Sequence, residues 1–495
     1  MDQWIVISLM IAAYLVLTLW VGLRAGRGTS ATVDGFVAGD RNFGFLVMYF
    51  VTGATVFSAF AFLGGPGWAY SRGAAAFYIL SYGALGMAPW YVIGPKAARI
   101  GRQLGQVTQA QFLTGRFRSR GLSVLITLIS IAALIPYITL QMRGAGIVIE
   151  AVTEGRVPLW LGALAAYGVV LVYVLVSGVS AVGWTNTLQG IFMVIIAWSL
   201  GLYLPYALYG GIGPMFDQIL ANRPELLTLP GLTASGTPWN WAGYSSAIVV
   251  SAIGITMWPH LFMKAFTARD EQIIRRTVVW FPSFQLFLVP AFLIGFAGVM
   301  FVDSLPEPDF ILPHLILNVD LPVLVVGLFC AGALSASMST GDALMHATAS
   351  VAVEDGLRPF MSLSEKTQRL LIRVLIVVFG AVAYFFAVSE SVSLVVLLLT
   401  SYGIIAQLAP PVVAALFWRR ATTPGAIAGL VAGAITALIF FFQPELKPID
   451  LHEGLFGLIV HVPVLIIVSL LTPAQDHDQV EAYVNPPVVS PSAAN

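Results

Sequence analysis

Two charged side chains, Arg143 and Asp342, lie well inside long apolar runs, and both sit among residues that could bind ions. Arg143 follows Pro136 in the stretch Gln141-Met142-Arg143-Gly144. A guanidinium at the centre of a membrane helix costs about 2.5–3.5 kcal/mol on insertion scales. A carboxylate gripped in two places offsets that cost, and arginine makes such a contact better than lysine. A structural partner, or snorkelling to a surface, is the other reading of the same residue. Asp342 ends the stretch Ala336-Ser337-Met338-Ser339-Thr340-Gly341-Asp342. Carboxylate, hydroxyl and carbonyl oxygens together suit a hard cation. Hydroxyls on adjacent helical positions diverge by about 100° but can flank an ion lying between helices. They can also simply bond one helix to another. His346 falls one turn beyond Asp342 on the same face, a spacing that permits a proton relay or an edge ion pair.

The elements that hold these residues are set by composition. Hydrophobic residues make up 58% of the 495 and charged ones only 10%, against roughly 25% charged in soluble domains. Such a chain has too little charge to cover a water-exposed surface, so its predicted surroundings are a lipid bilayer. The formal net charge is zero, which gives no pull toward nucleic acid. Cys330, the single cysteine, rules out a disulfide framework within the chain. Trp4 to Leu23 carries Asp2 in front and Arg24 and Arg27 behind, the order of a retained helix with its N-terminus outside.

A spanning helix needs about 20 mainly apolar residues. Apolar runs near 4–23, 44–70, 74–95, 121–152, 158–177, 185–209, 244–264, 277–301, 322–350, 368–388, 391–417, 425–443 and 453–471 predict about thirteen. With the N-terminus outside, most Lys and Arg fall in inner loops, from Arg24 through Lys264 to Arg420. Arg72, Arg156, Arg223 and Lys447 are left outside. That asymmetry supports an odd count with the C-terminus in the cytoplasm. Residues 302–321 are expected to hold a short lid-like helix, and the polar tail after Thr472 is expected to be disordered.

Two spans look interrupted. The second carries Gly53 and then Gly64-Gly65-Pro66-Gly67, and 244–264 carries Gly254 and Trp258-Pro259-His260. Proline removes a backbone donor and glycine tolerates irregular backbone. Carbonyls freed inside a bilayer must find a partner, and a cation is one. Matched interruptions in two halves of a transporter point to a central site. Gly and Pro also help membrane helices pack, which is the plainer reading of either run alone.

At this point the chain resembles the sodium/solute symporter family from about residue 4 to 471. The resemblance is carried by Gly53-Ala54-Thr55-Val56-Phe57-Ser58, Phe62 to Tyr70, Gly183-Trp184-Thr185-Asn186-Thr187-Leu188-Gln189-Gly190, Trp258-Pro259-His260 and Met338-Ser339-Thr340-Gly341-Asp342. It implies an all-α polytopic membrane protein with a LeuT-like fold. A leading helix and inner loop (1–43) would precede two inverted five-helix repeats, 44–209 and 244–417, joined by an extracellular segment, 210–243. Two flanking helices (418–471) and a disordered cytoplasmic tail (472–495) would follow. By motif the resemblance implies a sodium site of the Ala54, Phe57 and Ala336 carbonyls with the Ser339 and Thr340 hydroxyls. It places solute against Thr52, Thr55 and Ser58, with Phe77, Tyr78 and Tyr82 as walls, and Arg143 on a substrate carboxylate. Where many relatives have Asp in a Trp-Thr-Asp segment, this chain has Asn186. Asp342, with Asn186 and His346 beside it, is the candidate for restoring that charge to a second ion or proton site.

The Gly-Gly-Pro-Gly-Trp-Ala-Tyr and Ser-Thr-Gly-Asp segments look most like the bacterial monocarboxylate and pantothenate permease branches. The expected activity is therefore sodium-coupled import of a small organic anion such as lactate, pyruvate or propionate across the bacterial inner membrane, with no cofactor besides the ion. The alternatives are proton coupling through Asp342 and His346, or sodium symport of pantothenate or an amino acid. A polytopic lipid-modifying enzyme would need a His, Asp or Glu cluster at one headgroup level, which the sequence does not offer.

Overall fold

The computed structural model describes residues 3–389 and 394–487, with the side chains of 394–397 and 400 left out. Within these residues the chain is a bundle of helices. Eight are long and apolar enough to cross a membrane, and two further bent pairs pass the same test. The span predicted from 391 begins outside the described residues, and so does the end of the tail. Two predicted spans, 158–177 and 185–209, share the 51-residue stretch Leu159–Tyr209 as two helices that meet at a kink at Gly178 (φ 56°, ψ −142°). A straight helix that long would run roughly 75 Å, so the left-handed glycine is what lets the chain turn back.

Five helices position the interior: α1 (Gln3–Ala25), α2 (Phe45–Val56), α3 (Gly65–Arg72), α4 (Arg120–Val152) and α5 (Leu159–Tyr209). From the second half come α6 (Trp241–Gly254), α7 (Lys264–Thr267) and α8 (Val323–Val351), and from the tail α9 (His477–Val484). On α1 a single stripe, Ile7, Ile11, Tyr14, Thr18 and Gly22, is buried. Its other face exposes Leu9, Val16 and Trp20, as expected for a helix whose back is turned to lipid. By contrast α8 is buried on every side from Phe329 to Val351 and packs on α1, α4 and α5. The polar groups Ser335, Ser337, Ser339, Thr340, Asp342 and His346 are therefore interior, where each must find a partner.

The two interruptions are real, and one lies elsewhere than predicted. α2 and the helix beginning at Phe60 meet at 57°, and the break falls at Phe57 (φ −97°, ψ 84°), not at Gly64-Gly65-Pro66-Gly67. Those glycines continue a helical path, with Pro66 in the first turn of α3, where a missing N–H costs nothing. Tertiary contacts hold the break. Ala59 N–H donates to Gln141 Oε1 (3.0 Å), and Phe57 stacks on Phe281 and Phe284. The second pair bends by 51° at Trp258 (φ −57°, ψ 127°), the residue before Pro259, as the steric demand of proline on its predecessor predicts.

Two further expectations are corrected. The tail is ordered over α9, where Tyr483 is buried and bonds Gln106 (2.6 Å) and Gln479 donates to the Arg116 carbonyl (2.5 Å). One face of the helix, Gln479, Val480, Tyr483 and Val484, is buried despite the polar composition of the tail. Beneath it, burial lowers the Arg116 guanidinium to about 10 and raises the Tyr483 phenol to about 12. Lys264, counted among inner-loop charges, is only 4% exposed and lies inside the bundle.

Candidate functional site

The last backbone rung of α2 runs from Phe57 N–H to the Gly53 carbonyl (3.0 Å). The carbonyls of Ala54, Thr55, Val56 and Phe57 are thus the orphan acceptors that every helix end carries, here in the interior. α8 supplies partners for two of them. Ser339 Oγ donates to the Ala54 carbonyl (2.8 Å), and Thr340 Oγ1 to the carbonyls of Thr55 (3.0 Å) and Ala54 (3.4 Å). Ser339 Oγ also reaches the Ala336 carbonyl (3.2 Å). Ala54, Ala336, Ser339 and Thr340 therefore converge as sequence reasoning expects, and the Thr55 carbonyl joins them. Phe57 contributes the end of the helix, with no hydrogen bond to its carbonyl among the described residues. Ala54, Thr55, Phe57, Ala336, Ser339 and Thr340 are at most 1% exposed. Carbonyl and hydroxyl oxygens gathered in this way are what a desolvated hard cation takes.

Asn186 ties the same two helices together. Its amide donates to Thr55 Oγ1 (3.0 Å) and to the Ser339 carbonyl (2.7 Å). Asp342 Oδ2 accepts from Tyr173 Oη (2.8 Å) and Thr185 Oγ1 (3.1 Å). Asn186 Oδ1 and Asp342 Oδ1 are left without a hydrogen bond although both residues are fully buried. An unmet buried acceptor costs about 1–3 kcal/mol, more when charged. His346 stands apart from this pair. Its Nε2 meets the Phe36 carbonyl (2.9 Å) and its ring tilts against Phe36, and no hydrogen bond joins it to Asp342 among the described residues.

Of the predicted solute-facing residues, Thr52 lines a narrow cavity with Trp90, Thr256 and Thr277, while Ser58 lies at the break and accepts from Phe60 N–H (3.2 Å). Tyr78 bonds Ser251, and Tyr82 packs between Tyr78 (5.0 Å) and Tyr402 (5.4 Å). Phe77 does not join them. It is 38% exposed and edges onto Phe292 on the outside of the bundle, because one step along a helix turns a side chain by about 100°. Arg143 is buried, with Nη2 against both carboxylate oxygens of Glu307 (3.3 and 3.2 Å) and Nη1 toward the Ala387 carbonyl (3.5 Å). Among the described residues, the carboxylate it meets is an acid of the 302–321 segment.

Sequence reasoning missed the groups that close the space between the two breaks. Tyr137 lies against Trp258 (4.9 Å) and His260 (5.8 Å), and Trp258 against Tyr402 (5.5 Å). Gln141 Nε2, Trp258 Nε1 and both ring nitrogens of His260 have no hydrogen bond in the described structure. Buried donors of this sort beside a helix break are suited to an acceptor-rich solute. Trp258-Pro259-His260 was legible as an interruption only, and Gln141 lies one turn from Tyr137 on the helix that carries Arg143.

The model of the sodium:solute symporter family matches residues 36–433. YhjB of Bacillus subtilis (strain 168), an uncharacterized symporter, is 31% identical over 484 residues, covering 94% of this chain and 96% of its own. The sodium/pantothenate symporter of Escherichia coli (strain K12) is 26% identical, covering 87% and 89%. The monocarboxylate transport permease protein of Rhizobium johnstonii is 24% identical, covering 93% and 96%. A solved Na+-coupled sialic acid symporter in a substrate-bound outward-open state matches with a TM-score of 0.81 at 18% identity, covering 96% of this chain and all of its own. The fold is the LeuT-like one expected from the motifs.

Proposed function

The chain belongs to the sodium:solute symporter family, and we propose that it couples sodium entry to import of a small organic carboxylate by alternating access. It is a secondary transporter, not an enzyme. The observation that carries the proposal is the meeting of Ser339 and Thr340 with the orphan carbonyls of α2. In this reading the two hydroxyls turn their protons away, and sodium would be held by the carbonyl oxygens of Ala54, Phe57 and Ala336 and the hydroxyl oxygens of Ser339 and Thr340, fixing the broken helix against α8. Solute lies between the two breaks against Thr52, Thr55, Ser58, Tyr78 and Tyr82, with Gln141, Trp258 and His260 as donors and Arg143 on its carboxylate. Ion and solute then bias one conformational equilibrium, so each binds tighter in the presence of the other. Carboxylates named for two relatives, pantothenate and monocarboxylates, support the substrate class. Bacterial relatives and the placement of basic residues support the inner membrane, with the N-terminus outside. Uptake of labelled lactate, pyruvate, propionate and pantothenate into proteoliposomes tests it. Sodium should drive at least one of them, and equal uptake with choline replacing sodium overturns the coupling.

The Arg143–Glu307 pair gives the gate a chemical rationale. Glu307 occupies the guanidinium as a tethered carboxylate, and incoming acid exchanges with it. Because Glu307 is 43% exposed, solvent screens the pair to about 0.5–1 kcal/mol. Glu307→Gln should therefore lower the half-saturating acid concentration about two- to fivefold. An unchanged value in that variant removes Glu307 from the entry step.

Asp342 favours a second coupled cation or proton, since its Oδ1 and that of Asn186 are both buried without a hydrogen bond and Thr185, the residue before Asn186, donates to Asp342. Asp342→Asn should change the sodium-to-solute stoichiometry or the pH dependence of uptake while leaving insertion intact. If flux ratios and pH profile match those of the native protein, Asp342 has only a structural part.

A further inference from the structure

Lys264 lies six residues beyond the break at Trp258, in α7, the inner half of the second interrupted helix. It is 4% exposed, and among the described residues its ammonium makes no hydrogen bond. Asp342 is the carboxylate near enough to act on it, from beyond the 4.0 Å reach of an ion pair. Two narrow cavities flank the lysine. One is lined by Thr52, Trp90, Thr256 and Thr277, the other by His260, Thr267 and His346. Each holds about 10 Å³, roughly the room for one water. His260, whose ring nitrogens are both unpartnered, belongs to the second. A buried ammonium without a direct partner, with hydroxyls on one side and an imidazole on the other, is chemistry for an anion.

We propose that Lys264 forms a second, cytoplasm-facing anion subsite, which takes the substrate carboxylate as it leaves the central site. The inference rests on the carboxylate reading above. Both cavities border the four-residue α7, so a swing of that segment about Trp258 joins them into one exit chamber. Thr52 lines the chamber from the opposite interrupted helix and so connects it with the central site. His260 serves both, lying edge-on to Tyr137 and tilted against Trp258 while lining one cavity with Lys264.

The test uses full-length protein reconstituted in one orientation, with labelled lactate, pyruvate and propionate presented to either face. In K264M the half-saturating acid concentration on the cytoplasmic face should rise about tenfold or more. The outer-face value should stay within about twofold, and sodium dependence should not change. K264R, which keeps the charge, should restore most of the cytoplasmic-face affinity, and K264Q replaces K264M if the latter does not insert. Equal shifts on both faces, or none, overturn the proposal. A shift in sodium dependence alone also overturns it, because Lys264 is then the counter-ion of Asp342. The carboxylate reading fails separately, and takes the subsite with it, if the native protein carries none of the three acids or carries lactamide as well as lactate.

Discussion

Arg143→Gln will abolish useful carboxylate uptake while leaving the protein inserted and able to bind sodium. Losing one partner of a buried charge-assisted contact costs about 2–5 kcal/mol, so the half-saturating acid concentration should rise on the order of 100-fold. The loss is larger than for Glu307→Gln because the two residues sit differently. Arg143 is 8% exposed, whereas Glu307 opens to solvent and can be hydrated once released. Arg143→Lys separates charge from geometry. A lysine restores the sign but not the two-point grip, and should recover only part of the affinity. Sodium-driven uptake with native kinetics in Arg143→Gln would mean that the arginine holds the 302–321 segment and nothing else.

The second large effect is on the ion. Removing both hydroxyls, Ser339→Ala with Thr340→Val, takes away two ligands of a buried cation, each contributing roughly 1.5–3 kcal/mol. The half-saturating sodium concentration should then rise about 100-fold or more. Linkage supplies a sharper check. Since sodium and acid each raise the other's affinity by one common factor, acid binding in the double variant should equal that of the native protein in choline. Calorimetry or scintillation proximity with purified protein measures both. Acid binding that still responds to sodium at native concentrations in the double variant excludes Ser339 and Thr340 as ligands. The neighbouring Asn186 bridge, from Thr55 to the Ser339 carbonyl, contains neither altered side chain and should keep α2 and α8 together.

How much of this was legible can be judged residue by residue. Ser339 and Thr340 were readable through the family resemblance, which implied their carbonyl partners on another helix; the residues alone left them as hydroxyls that could equally bond one helix to another. Pro259 announced its break through local sterics. The break at Phe57 has no such cause, since Gln141, Phe281 and Phe284 hold it from other helices. The glycine run seven residues on was therefore a false marker. Phe77 was grouped with Tyr78 and Tyr82 by the resemblance, but helical rotation turned it out of the interior. Glu307 could not be matched to Arg143 because more than 160 residues of chain separate them, and nothing local draws them together.

Composition and apolar run length by themselves determined that the chain is a bundle of membrane helices, because lipid admits only helices or a closed barrel and apolar runs of about 20 residues fit helices. Motif spacing fixed which oxygens face the first interruption. Tertiary structure alone decided the rest. It bent the chain at Phe57, paired Arg143 with a distant acid, and drew Lys264 from a presumed loop into the interior. The physical reason is one of range. Backbone hydrogen bonding and hydrophobicity act within a few residues, whereas the partner of a buried charge is chosen by whichever helix the fold brings alongside.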